Sequence, residues 1–397
     1  MKIVQINCVY GKGSTGTLTR DLHLMLMARN CQSKVFYGRG DLSTDDGVCR
    51  VGGELLGKCN AFRSRMTGIP YGGCELNTAR LIAEIHADRP DVVHLHCING
   101  HFVNIYRLIT YLKQQNIPTV LTLHAEFMYT ANCSHAYDCE KWKTGCESCD
   151  DFQRADHSYF FDRTAWSWKR MAEAFDGFQR LSVIPVSPWQ EQRAKCSPFF
   201  RSARIRTIIN GVDLSVFHPM GNKTGDSGFR RIIYVTPNFD QTPGHIKGGE
   251  FIAPLAHMLG RQAQILVVGP GECRNLPDNV KVLGPIWDRK ELARLYSEAD
   301  ITLLTSRRET FSMIVAESLC CGTPVVGFRA GGPESIALPQ FSKFCEPGDM
   351  DSLAKTILSF PALDARTVGD AAARVYGKER MIEEYMDEYM KVRRHTE

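Results

Sequence analysis

Short apolar runs of strand length alternate with amphipathic helical patterns along almost the whole chain, in two successive series. Such alternation is the mark of stacked βαβ units on parallel sheets, an α/β architecture. In the first series the strand candidates are residues 3–7, 33–37, 92–96, 119–124 and 181–187, with helical patterns between most of them, as at 18–29, 77–87 and 103–115. The second series has strands at 231–235, 264–268, 280–283, 301–304 and 324–327, and helices at 248–259, 289–297 and 312–321. At 397 residues the chain exceeds what one core usually serves, so two Rossmann-like, doubly wound domains are expected. Between the series, Asn210-Gly211-Val212-Asp213 and then Phe217-His218-Pro219 form a turn-rich passage, and residues 220–228 are polar, glycine-rich and aperiodic, as an interdomain linker would be. The expected division is residues 1–219, then 229–376, then a closing segment 377–397. That segment carries Met381, Tyr385, Met386 and Tyr389 near one stripe and is expected to pack back on the first domain. Two such domains imply a cleft between them, with ligands at the carboxyl ends of the strands.

No stretch approaches the ~18 consecutive apolar residues that a membrane span requires. The N-terminus reads as a buried strand running into a glycine loop rather than as a signal peptide, so a cytoplasmic location is expected. A formal charge of +4 is too small to argue for a nucleic-acid partner but permits peripheral contact with the anionic inner face of a membrane. Lys58, Arg63, Arg65, Lys141, Lys143, Lys169 and Arg170 in the first half allow such contact.

The most informative segment runs from Ile301 to Glu317. A buried strand delivers the chain to a polar loop holding Glu309, and a helix opens near Ser312. The amides of Phe311, Ser312 and Met313 then point out of a helix N-terminus, a natural phosphate site. Glu317, about one and a half turns into that helix, is placed to accept from two ribose hydroxyls. Two carboxylates flanking an anion site repel the phosphate, which makes sense if each binds hydroxyls on either side of a diphosphate. The bland alternative is a loop charge and a solvated helix face.

Glu309-Thr-Phe-Ser-Met-Ile-Val-Ala-Glu317, followed by Gly322-Thr-Pro-Val-Val and Gly331-Gly332-Pro333-Glu334, resembles the E-x7-E signature of retaining glycosyltransferase family 4. The Asn210–Asp213 passage with Phe217 and Pro219, residues 92–104, and Leu121-Thr-Leu-His124 resemble other motifs of that family, and the likeness covers nearly the whole length. It is greatest to the colanic-acid and exopolysaccharide members. The resemblance implies the GT-B architecture and a nucleotide-diphosphate sugar as donor. It further implies that Glu309 contacts the donor sugar, that Glu317 holds the ribose, and that His124 contacts the donor sugar and assists the reaction. The family neutralises the diphosphate with a basic pair, so no cofactor is required for catalysis. Lys247 matches the lysine of that pair, but the arginine is missing from residues 236–240, leaving Arg307, Arg308 or His245 as substitutes. His96, ending the neighbouring strand, is an acceptor-side candidate.

Gly11-Lys-Gly13-Ser-Thr-Gly16 fits G-x-G-x-x-G, but the loop starts late and no acidic residue ends the second strand at Tyr37-Gly38, against a dinucleotide site. In the resembled family this loop lets backbone approach donor phosphate or acceptor, a role that falls on Gly16. Asp349-Met-Asp351 follows Pro347-Gly348 and opens a helix, so capping explains it better than a metal site.

The second distinctive segment holds Cys133, Cys139, Cys146 and Cys149. Thiolates so close in sequence can converge on one tetrahedral zinc, with His135 as a replacement ligand. Two disulfides are disfavoured in a reducing compartment, and a redox C-x-x-C lacks its strand-to-helix context. A loop of this length lacks a core of its own, so a structural zinc would order it. Similar loops occur in the exopolysaccharide relatives.

The expected reaction is transfer of a sugar to a saccharide or lipid-linked saccharide acceptor in surface-polysaccharide biosynthesis. A sugar-nucleotide epimerase of the same fold and a non-enzymatic zinc-containing binding module are the alternatives.

Overall fold

The computed structural model describes residues 1–155, 157–221, 228–271 and 274–394. The chain divides into two compact units, Met1–Ile208 with Ile382–Glu397, and Ile209–Met381. The 220–228 linker expectation falls mostly on 222–227, outside the described residues.

The first unit is built on seven parallel strands: β1 (Lys2–Asn7), β2 (Gln32–Tyr37), β3 (Val48–Arg50), β4 (Val92–Leu95), β5 (Thr119–Leu123), β6 (Leu181–Pro185) and β7 (Arg204–Ile205), in the order β3-β2-β1-β4-β5-β6-β7. β4, β5 and β6 are buried at every position, as expected of parallel strands covered by helices on both faces. The helix Ile105–Gln114 shows how the sequence seats one cover. The Asn104 side chain caps it by accepting from the Arg107 amide at 3.1 Å, and Ile105, Leu108, Ile109 and Leu112 form the buried stripe.

The last helix, Lys378–Arg394, leaves the second unit after Met381 and belongs to the first unit from Ile382 on. Tyr389 Oη lies 2.7 Å from His94 Nδ1, and Tyr385 Oη 2.8 Å from Thr122 Oγ1. Glu388, fully buried, accepts from Ser182 Oγ at 2.6 Å and meets Arg204 Nε at 3.1 Å. The helix therefore packs on the first domain through paired polar groups as well as its aromatic stripe.

The second unit has six parallel strands: β8 (Arg230–Val235), β9 (Ala263–Val268), β10 (Val280–Gly284), β11 (Ile301–Leu304), β12 (Val325–Phe328) and β13 (Ser342–Cys345), in the order β10-β9-β8-β11-β12-β13. The Asn210–Asp213 passage is a clasp within this unit: Val212 bridges to Gly377, and Asp213 pairs with Lys378 Nζ at 2.8 Å. Asp349 caps the helix Met350–Ser359 by accepting from the Ser352 amide at 3.0 Å.

Candidate active site

In the second unit β8 has β9 on one side and β11 on the other, so the strand order reverses between β8 and β11. Doubly wound sheets bind ligands at the carboxyl ends of strands at such a point. The loop after β8 delivers Lys247, and the loop after β11 delivers Glu309. Lys247 Nζ lies 2.8 Å from Glu309 Oε1, and Ser306 Oγ donates to the same oxygen at 2.6 Å. The Lys247 carbonyl is pinned by the Tyr234 hydroxyl at 2.7 Å, and Gly248 beside it, at φ +65°, has a conformation and a closeness to the Thr305 carbonyl that no side chain accommodates. Glu309 is 8% exposed, and its amide and carbonyl are tied to Ala330 and Gly332 at 3.0 and 2.9 Å. Burial pushes its carboxyl up, but Lys247 and the hydroxyls of Ser306 and Ser312 outweigh this and hold it below the usual value.

The helix Met313–Cys320 begins four residues beyond Glu309. Ser312, just ahead of it, sits at φ +91°, strained for a residue with a side chain. Its Oγ is buried without a hydrogen bond of ordinary geometry, though near enough to Glu309 to favour the charged carboxylate. The leading amides of a helix have no partner within it, which is the geometry required of Phe311, Ser312 and Met313 for anion binding. Glu317 keeps partial contact with solvent, yet its carboxyl is densely surrounded by protein. Burial pushes it up to about 7 against the pull of Arg289. A cavity of about 770 Å³ opens beside the loops after β8 and β9, lined by Asn238, Asp240, Thr242, Gly271 and Arg274 among others. Arg307 donates to Glu250 at 2.6 Å and is engaged there, whereas His245 stays beside the pair, its Nδ1 accepting from the Lys247 amide at 3.4 Å.

In the first unit the order reverses between β1 and β4. After β1, the Gly11 amide donates to the Gly16 carbonyl at 2.9 Å, folding the loop back onto the start of the helix Gly13–Ala28. A side chain at Gly16 would press on Val9 at 3.1 Å and on the Gly11 amide nitrogen at 3.3 Å. His96 and His124 follow β4 and β5, their rings stacked at 5.4 Å with His96 Nδ1 3.2 Å from His124 Nε2. Burial holds His124 down to about 4 and His96 well below its ordinary value, so both rings are neutral at neutral pH.

The cysteine-rich loop has a source of order besides a metal: it shares the first unit's core. Trp142, 1% exposed, is buried in the first unit's main apolar cluster with Ala136 and Cys146. Its Nε1 donates to the Cys139 carbonyl at 2.8 Å, and Trp168 Nε1 donates to the Trp142 carbonyl at 2.8 Å. Buried Glu126 holds the loop's start, accepting from the Ala136 amide at 3.2 Å and pairing with Arg193 at 3.0 Å. Burial pushes the thiols of Cys133 and Cys146 up to about 12, and Cys139 and Cys149 lie near enough to both to add to the shift. As placed, the four thiols are not a ligand set: among the described residues no three His, Cys, Asp or Glu side chains are positioned to hold a metal ion. His135 contacts Tyr137, their ring centroids 6.4 Å apart.

The family model for Glycosyltransferase Family 4 matches residues 15–216, and that for Glycosyl transferases group 1 matches residues 270–368. The chain belongs to glycosyltransferase family 4. The colanic acid biosynthesis glycosyl transferase WcaC of Escherichia coli (strain K12) is 22% identical over 98% of this chain and 99% of its own length. N-acetyl-alpha-D-glucosaminyl L-malate synthase of Bacillus anthracis is 30% identical, over 38% of this chain and 42% of its own. Among solved structures, sucrose-phosphate synthase from Thermosynechococcus elongatus superposes with a TM-score of 0.69 at 19% identity, covering 98% of each chain. Anabaena HepE in complex with UDP and glucose gives 0.66 at 16% identity, covering 98% of this chain and 100% of that one. The fold is thus GT-B in kind, with two Rossmann-like domains, and the protein is a glycosyltransferase.

In this family 4 glycosyltransferase the group 1 match contains Glu309 and Glu317, the family 4 match contains Gly16, His96, His124 and the four clustered cysteines, and Lys247 lies in neither. The structure brings Lys247, Glu309 and Ser306 together in one unit and His96 and His124 together in the other. Ser306 escaped the sequence reading, although it stands three residues before Glu309 in the same loop. Gln5, a buried polar residue inside an apolar strand, was a visible signal.

Proposed function

We propose that this glycosyltransferase moves a sugar, with retention of configuration, from a nucleoside-diphosphate sugar to a saccharide or lipid-linked saccharide acceptor in surface-polysaccharide biosynthesis. The observation that carries the reading is the Lys247–Glu309 pair at the strand-order reversal of the second unit. Lysine has three donors, so Lys247 can hold Glu309 and still meet a diphosphate oxygen, while the amides of Phe311, Ser312 and Met313 meet the remaining charge. Glu309 then accepts from donor-sugar hydroxyls and Glu317 from the ribose. His124 assists at the donor sugar, with Gly16 giving backbone access to donor phosphate or acceptor and His96 on the acceptor side. The complex of HepE with UDP and glucose supports a nucleotide-sugar donor by likeness of fold.

The same proposal includes contact with an anionic membrane surface. Among the described residues, eight of the 18 exposed large apolar side chains lie on the helix Glu54–Thr67 or in residues 159–166, including Leu55, Phe62, Phe160 and Phe161. The Tyr159 amide donates to the Arg65 carbonyl at 2.8 Å, joining the two segments, and exposed Lys58, Arg63 and Arg65 lie on that helix. Apolar side chains among basic ones suit a lipid interface. No helix among the described residues is long and apolar enough to cross a membrane.

One assay tests both parts. Nucleoside-diphosphate release from a panel of sugar nucleotides is followed with and without acceptor, the acceptor being presented in neutral or anionic vesicles. Release that requires acceptor, faster on anionic vesicles, is the expected result. Conversion of the donor sugar without acceptor would instead favour an epimerase, and equal rates on both vesicles would remove the membrane contact.

A structural zinc on Cys133, Cys139, Cys146 and Cys149, with His135 in reserve, stays a proposal. It rests on the nearness of four thiols in one loop and requires them to close in from their present positions. Metal analysis of protein purified under reducing conditions is expected to find one zinc per chain. Absence of zinc, with Trp142→Ala losing about 3–5 kcal/mol of stability in urea unfolding, would assign the loop's order to tryptophan packing instead.

A further inference from the structure

A line of buried polar side chains crosses the first unit's sheet from the helix Gly13–Ala28 to His124. His23 Nε2 lies 3.0 Å from the Asp46 carbonyl, and His23 Nδ1 lies 2.8 Å from Ser33 Oγ on β2. Gln5 on β1 reaches Ser33 Oγ through Nε2 at 3.3 Å and His96 Nε2 through Oε1 at 3.2 Å. His96 Nδ1 completes the line at 3.2 Å from His124 Nε2. His23 and Gln5 are fully buried, His96 is 3% exposed and Ser33 8%. Polar groups in such a place are kept only by their hydrogen bonds.

Every link has one allowed direction, because one end is a backbone carbonyl, which can only accept. His23 must therefore carry its proton on Nε2. Burial lowers His23, keeping the ring neutral with a lone pair on Nδ1. Ser33 spends its only proton on that lone pair, so Ser33 Oγ accepts from Gln5. The Gln5 amide nitrogen thus faces Ser33, and its oxygen faces His96. His96 must donate from Nε2, which leaves His96 Nδ1 as an acceptor. The remaining donor is His124 Nε2–H.

We infer that Gln5, Ser33 and His23 are positioning residues that, through His96, fix His124 as its Nε2–H tautomer with Nδ1 as the acceptor nitrogen. This rests on the proposed role of His124 and adds the proton arrangement in which that ring acts: Nδ1 accepts and does not donate. The five side chains sit on five different elements, β1, β2, the helix Gly13–Ala28 and the ends of β4 and β5, so the line is a property of the fold rather than of one loop.

The test is nitrogen-15 NMR of the intact protein labelled at histidine, with His124→Gln to assign the resonances. His124 is expected to show a protonated Nε2 and an unprotonated Nδ1. In Ser33→Ala the Gln5 amide is free to turn, so His124 Nδ1 should move toward the protonated position. kcat should fall by about tenfold with the donor KM unchanged, as for an interaction that matters in the transition state alone. Ser33→Thr, which keeps the hydroxyl, should restore both readings. A protonated Nδ1 at His124 in the unaltered protein, or an unchanged tautomer in Ser33→Ala, overturns the inference. The role of His124 fails separately: His124→Ala with full turnover removes it, whatever tautomer is found.

Discussion

Lys247→Ala is expected to lose most turnover and to destabilise the second unit in the same step. On the activity side, the change removes the cation proposed to meet charge developing on the leaving diphosphate. Loss of one such preorganised group lowers kcat by about 10²–10³-fold. On the stability side, Glu309 is left buried with its 2.8 Å partner gone, and breaking a buried pair costs about 3 kcal/mol when one partner keeps some contact with water. The two effects separate by pH. In the unaltered protein the Glu309 carboxyl lies below its ordinary value, so its contribution is present above the unfolded pKa and lost as pH falls through the folded one. Without Lys247, burial dominates and the sign turns over: the variant is least disadvantaged in acid. Thermal unfolding of Lys247→Ala and Lys247→Arg from pH 4 to 8 reads this directly. Equal melting profiles for the alanine variant and the parent would show that the pair does not hold the loop, and full turnover would end the donor-site proposal.

Glu317→Gln is expected to raise stability at pH 8 while weakening nucleotide binding. Burial pushes the Glu317 carboxyl up to about 7, so between the ordinary value near 4.5 and 7 the folded chain holds a proton that the unfolded chain has released. Stability from this group is therefore full in acid and lost as pH rises through 7, a loss of roughly 2–3 kcal/mol once its partial exposure is allowed for. Glutamine stays neutral and escapes that loss. It also presents only one oxygen in place of the carboxylate that the ribose hydroxyls are proposed to meet. Thermal shifts with a panel of nucleotides should thus show a higher melting temperature without ligand and a smaller increment with it. A variant with the parent's increment would take the ribose away from Glu317.

The central strands were legible because parallel strands covered on both faces are buried throughout and so largely apolar, as in Val92–Leu95 and Thr119–Leu123. The short edge strands Val48–Arg50 and Arg204–Ile205 were not, since their exposed or half-buried positions carry no apolar pattern. The helix Glu54–Thr67 escaped for the same reason: Ser64 is its sole buried residue. At the candidate site, the sequence singled out Glu309, Glu317 and Lys247 but not that Lys247 reaches Glu309 across 62 positions of chain. The glycine beside Lys247 explains how: its packing on the Thr305 carbonyl brings two loops together. The polar line behind His124 joins residues from position 5 to position 124, and strand periodicity says nothing of which buried side chains will meet.

The last helix returns to the first unit, so that unit is assembled from two stretches of chain with the whole of the second unit between them. During synthesis the seven strands precede the last helix, so His94 on β4, Thr122 on β5 and Ser182 on β6 wait for Tyr389, Tyr385 and Glu388 to leave the ribosome. The second unit, made entirely in between, can finish folding earlier, which reverses the usual N-terminal-first order. A stop codon ahead of Tyr385 would therefore leave the second unit whole and the first without these partners, open to aggregation and proteolysis.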